Sequence, residues 1–99
     1  MSLSIIRALV ERQIPVCGHI GLQPQSVHAL GGYRVQGMDA ESAENISHAA
    51  ALVEESGASL LLLECVPGTL AERISRERSI PTIGIGAGVN CDGQVLVVR

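Results

Sequence analysis

The sequence predicts an α/β fold, part of a (β/α)8 TIM barrel with about four parallel strands and crossover helices. Helix-periodic and strand-like segments alternate along the chain. The strand-like segments are continuously apolar, as strands covered on both faces are. Glycines, a histidine and a glutamate end or follow those strands, where a barrel keeps its chemistry.

Residues 4–12 read as a short helix with Ile5, Ile6, Leu9 and Val10 on one side and Ser4 as its cap. Ile14-Pro15-Val16-Cys17-Gly18-His19 reads as a buried strand with proline at its start. Residues 20–38 hold Gly21, Gly31, Gly32, Gly37 and Pro24 and follow neither period, which in a compact domain points to function. A second helix covers roughly 41–56, with Ile46, Ala49, Ala50 and Val53 as its stripe, Asp39 or Ser42 as cap and Gly57 as stop. The strand Ser59–Cys65 follows, then a helix from Gly68 to Arg78 whose inner face is Leu70, Ala71 and Ile74. Glu72–Arg76 and Arg73–Glu77 lie four apart on its solvent side. Ile80–Ile85 is the next strand, entering Gly86-Ala87-Gly88, and Gln94–Val98 begins a fourth.

Four strands make half a barrel, and an open half exposes strand edges and an apolar face. The expectation is therefore one partial-barrel unit over residues 1–99, a piece of a longer enzyme. Its core must be aliphatic. The chain is 46% hydrophobic, yet Phe and Trp are absent and Tyr33 is the single aromatic residue. A formal net charge of −3 without a basic cluster argues against nucleic acid or an anionic membrane as partner. Cys17, Cys65 and Cys91 form an odd, widely spaced set with no C-x-x-C pair, which suits a reducing, cytoplasmic setting. All seven basic residues are arginine, so the chain supplies neither a Schiff-base lysine nor a phosphate-loop lysine.

Glu64 is the leading candidate for chemistry. Side chains alternate along a strand, so Leu60, Leu62 and Glu64 share one face while Leu61, Leu63 and Cys65 share the other. If the second set meets the helices, Glu64 points into the barrel at its catalytic end. A carboxylate stripped of water by aliphatic neighbours is a suitable base for taking a proton from carbon. The alternative is an exposed rim glutamate. His19 is expected at the same height one strand over, able to hydrogen-bond a substrate oxygen or shuttle a proton, or else simply a satisfied strand-end histidine. Gly18 beside it allows close backbone approach. Gly84-Ile85-Gly86-Ala87-Gly88 fails the dinucleotide fingerprint because its third glycine falls one residue early, so these glycines are read as thinning the wall beside a ligand. Asp39 and Asp92 are the only aspartates, both in loops, and no metal-ligand spacing appears.

Ordered blocks along the chain resemble a known family. They are Pro15-Val16-Cys17-Gly18-His19-Ile20-Gly21-Leu22, Pro24-Gln25-Ser26, Gly31-Gly32-Tyr33-Arg34-Val35-Gln36-Gly37, Leu63-Glu64-Cys65-Val66-Pro67, Ile83-Gly84-Ile85-Gly86-Ala87-Gly88 and Asp92-Gly93-Gln94-Val95-Leu96-Val97. Together they are similar to ketopantoate (3-methyl-2-oxobutanoate) hydroxymethyltransferases of pantothenate biosynthesis. The resemblance implies a (β/α) barrel, a homodecamer in the full-length family, magnesium, and one-carbon transfer from 5,10-methylenetetrahydrofolate to 3-methyl-2-oxobutanoate, giving 2-dehydropantoate. It implies Glu64 as proton acceptor and His19 as a contact of the keto acid. The family's metal carboxylates and substrate lysine belong to strands upstream of this chain, so no metal ligand is assigned here. Met38 stands where the family commonly has Arg, and Gln23 where Thr is common. The chain alone is thus expected to be inactive; the alternative reading is a non-catalytic interaction piece.

Overall fold

A computed structural model of the chain describes residues 2–21 and 39–96. The elements run α1 (Leu3–Glu11), β1 (Cys17–Gly21), α2 (Ala40–Glu55), β2 (Leu60–Glu64), α3 (Gly68–Glu77), β3 (Thr82–Ile85) and β4 (Gly93–Gln94). Gln23, Met38 and the other motif residues of 22–38 lie outside the described residues, as does the end of the expected fourth strand.

The strands form one parallel sheet in the order β1-β2-β3-β4. Each strand neighbours its successor, so the winding never reverses as it does in a doubly wound sheet. This is the architecture of part of a (β/α) barrel. Its two faces differ. Leu61 and Leu63 are completely buried, and Gly18, Ile20, Thr82 and Gly84 are buried with them. They meet Ala50 and Val53 of α2 and Leu70, Ala71 and Ile74 of α3 in one aliphatic core. On the opposite face His19, Leu60, Leu62, Ile83 and Ile85 are half-buried and Cys17 is exposed.

Local chemistry explains the element ends. Ser2, rather than the expected Ser4, caps α1 by accepting from the Ile5 amide. The inward stripe of α1 is Leu3, Ile6 and Val10, at helical spacing, whereas Ile5 is 61% exposed. Asp39 caps α2, its carboxylate accepting from the Ser42 amide at 2.7 Å. Gly57 then turns the chain at φ +102°, where a Cβ would meet the Val10 side chain at 2.9 Å. Pro67 starts α3 without a side-chain cap, its carbonyl accepting from Ala71 at 2.9 Å.

The first strand begins later than its apolar run suggested. The Ile14 amide bonds back to Leu9 and Gln13 adopts φ +63°, so the chain is still leaving α1 there. Pairing begins where β2 offers a partner, with Cys17 against Leu60, and lasts until Gly21 lies against Glu64.

Glu54 of α2 makes a tertiary tie that its helical position gave no sign of. Its carboxylate accepts from the Ser79 amide at 2.5 Å, the Ile80 amide at 3.0 Å and the Arg78 guanidinium at 3.1 Å. The connection between α3 and β3 is thereby fastened to the neighbouring helix. Glu54→Ala is expected to lower the stability of the chain by about 1–3 kcal/mol, because two loop amides lose their acceptor. Glu54→Gln should cost less, because the Ser79 and Ile80 amides share one carboxylate oxygen that the amide oxygen can replace, and only the Arg78 contact to the other oxygen is lost. Urea unfolding monitored by circular dichroism checks the order of the two variants. The α3 surface carries the expected Glu72–Arg76 and Arg73–Glu77 pairs, and Arg73 also reaches Glu44 of α2 at 2.7 Å. That hydrogen bond, and then the guanidinium charge, hold the Glu44 carboxyl below its usual range.

Candidate functional site

Glu64 is the last residue of β2 and lies on the face away from the helices, with Leu60 and Leu62. It is only 6% exposed. Its Oε1 lies 2.8 Å from Nε2 of His19 on the neighbouring strand. An ionised carboxylate can only accept, so the imidazole carries the shared proton when Glu64 is charged. The two residues are staggered, although the sequence predicts them at the same height. His19 pairs with Leu62, and the backbone partner of Glu64 is Gly21. The imidazole therefore reaches diagonally up the sheet, along the diagonal contact that adjacent strands permit on one face.

The backbone above this pair is unusual. Gly21, Cys65 and Gly86, at the ends of three successive strands, all have positive φ: +99°, +53° and +61°. Cys65 is the informative one, because an L side chain in the left-handed region costs about 1–2 kcal/mol. Its amide nevertheless donates to the Ile85 carbonyl at 2.8 Å, extending the ladder just past Glu64. The turn immediately behind the carboxylate is thus tied to β3.

Two glycines serve packing rather than a ligand. A Cβ on Gly18 would lie 2.4 Å from Cγ1 of Val53, so the close approach there is that of α2. A Cβ on Gly84 would face Cys91 Sγ at 3.0 Å and Ala87 at 3.4 Å, on the buried face. Gly84 makes room for the segment leading to β4. Gly88 comes against the first residue of α3, its absent Cβ 3.0 Å from the Gly68 Cα.

Asp92, read from sequence only as a loop aspartate, anchors the start of β3. Its Oδ2 accepts from the Thr82 amide at 2.8 Å, and Ser75 and Thr82 share a 2.6 Å hydroxyl contact behind it. Their separation along the chain left no local pattern that could have revealed this. A cavity of about 260 Å³ flanks the other side of β1, lined by His19 and by apolar residues of α1 and α2 including Leu3 and Leu52. His19 borders it as the one titratable lining group among the described residues. Cys17 stands at the foot of β1, and desolvation raises its thiol pKa.

The family model of ketopantoate hydroxymethyltransferase matches residues 2–99. The chain belongs to the ketopantoate hydroxymethyltransferase family. A 3-methyl-2-oxobutanoate hydroxymethyltransferase of Xanthomonas axonopodis pv. citri is 60% identical over 97 residues, covering 98% of this chain and 35% of the relative. One from Enterococcus faecalis is 61% identical over 94 residues, covering 95% of the chain and 34% of the relative. One from Methylococcus capsulatus is 57% identical over 95 residues, covering 96% and 35%. The chain thus spans about a third of the length of these ketopantoate hydroxymethyltransferases.

Magnesium, which the resemblance implies for the family, does not fit the described residues. Among them no three His, Cys, Asp or Glu side chains converge on one point. His19 and Glu64 turn their polar atoms toward each other, and a hard cation needs more oxygen ligands than one carboxylate offers. No step is therefore assigned here to a metal. Among the described residues no helix is long and apolar enough to cross a membrane.

Proposed function

We propose that this chain supplies the proton-abstracting wall of a 3-methyl-2-oxobutanoate hydroxymethyltransferase, with Glu64 as the base and His19 as a contact of the keto acid. The supporting observation is the buried Glu64 carboxylate, at the C-terminal end of a parallel strand and 2.8 Å from an imidazole. That is where barrel enzymes carry their chemistry. The substrate's C3 bears one hydrogen beside the ketone. Removing it gives an enolate, whose carbon bonds to the methylene carbon of 5,10-methylenetetrahydrofolate; that carbon's two bonds to folate nitrogen break, water supplies the hydroxyl, and 2-dehydropantoate and tetrahydrofolate are released. Glu64 takes that proton. Burial keeps competing water from the carboxylate, and the His19 bond fixes which way its oxygens face. The imidazole is near enough to meet an oxygen of the same substrate. The odd, widely spaced set of Cys17, Cys65 and Cys91, without a C-x-x-C pair, supports a reducing, cytoplasmic setting.

The test joins this chain to the remaining strands of the Xanthomonas axonopodis relative and measures formation of 2-dehydropantoate with magnesium, keto acid and methylenetetrahydrofolate. The completed protein is expected to turn over and the 99-residue chain alone to show none. An inactive but folded completed protein would overturn the reading. The second reading, a non-catalytic interaction piece, is favoured by the partly exposed apolar face of Leu60, Leu62, Ile83 and Ile85. It predicts association of the chain with other barrel strands without any turnover.

A further inference from the structure

We propose that Gly21 is a positioning residue for Glu64, an assignment that rests on Glu64 being the base. Gly21 is the backbone partner of Glu64 across the β1–β2 pairing. A Cβ there would fall 2.1 Å from the Glu64 carbonyl oxygen, 3.1 Å from its carbonyl carbon and 3.1 Å from Cγ1 of Val66. None of these can move aside cheaply. Two are main-chain atoms of the catalytic residue, and Val66 is 1% exposed.

Among the described glycines, Gly21 is the one whose Cβ would come closer than 3.0 Å to backbone; Gly18 and Gly57 meet side chains. On its far side the same peptide is held through Cys65, whose amide is bonded to Ile85. The Glu64 carbonyl is therefore gripped between β1 and β3. That grip sets the height from which the carboxylate meets His19, one pleat below. Any side chain at position 21 pushes the Glu64 peptide away and misaligns the acid with both the imidazole and the substrate carbon. Misplacement of a reacting group by about an ångström can cost 10²-fold in rate.

The test uses the completed protein described above. Gly21→Ala is expected to lower kcat at least about tenfold, normalised to folded protein, while KM for the keto acid stays within about twofold. Gly57→Ala is the control: it places an L side chain at a similar positive φ but far along the chain, against Val10. It should lose stability and keep kcat. If Gly21→Ala is not recovered folded, Gly21→Asn replaces it, since asparagine tolerates positive φ yet still carries a Cβ. The same split is expected. Full kcat in either folded Gly21 variant overturns the assignment, as does an equal loss of kcat in Gly57→Ala. Glu64→Gln separates the two levels. If it retains turnover, the base itself is misassigned; if it is inactive while the Gly21 variants are fully active, only the positioning role fails.

Discussion

Replacing Glu64 with Gln in the completed protein is expected to lower kcat by about 10²–10⁴-fold, the usual contribution of a positioned general base. KM for the keto acid should change little. The substitution is nearly isosteric, and the Gln amide oxygen can still accept from Nε2 of His19, so the bond seen at 2.8 Å has a counterpart. What disappears is the ability to take a proton. Exchange of the C3 hydrogen of the keto acid with solvent deuterium, followed by proton NMR without the folate, reads that step directly. Exchange at the unsubstituted rate would remove Glu64 from the mechanism. His19→Ala serves as the companion measurement. It should disturb both binding and kcat, since the imidazole faces the carboxylate and borders a cavity.

The second large effect concerns the sheet. Leu63→Ala is expected to destabilise the chain by about 2–5 kcal/mol, whereas Leu62→Ala should cost clearly less. Adjacent leucines in one strand differ because Leu63 is 0% exposed beneath α2 and α3, while Leu62 is half-buried on the opposite face. Small domains are stable by only about 5–15 kcal/mol, so the first substitution removes a large share of the total. Chemical denaturation of the chain and both variants checks the contrast. Equal losses would mean that the two faces are covered alike.

The same alternation was legible before any coordinates. Because the period is two, assigning Leu61 and Leu63 to the helix layer sends Glu64 to the other side, where it lies. The helices were legible too, through the stripes of α2 and α3 and through Gly57. What escaped was set by contacts distant in sequence. Nothing in Cys17–Gly21 says whether its glycines face a ligand or a helix; the fit of Val53 against Gly18 decides that. The stagger of His19 against Glu64 depends on strand register, and register is fixed across the whole pairing from Cys17–Leu60 to Gly21–Glu64. Glu54 looked like one more polar residue on a helix, because its partners Ser79 and Ile80 belong to another connection. A left-handed Cys65 likewise follows no residue preference; the backbone bond to Ile85 holds it there.

The order of the strands also bears on assembly during synthesis. Ile83 finds Gly93 after a short excursion, Leu61 finds Thr82 after a longer one, and Cys17 must wait for Leu60 across the longest. Loop-closure entropy rises with that separation, so among these four strands β3–β4 and β2–β3 pair most readily and β1 docks last. A nascent sheet would thus hold the acid before the imidazole arrives, and the pair would come together only as β1 joins β2.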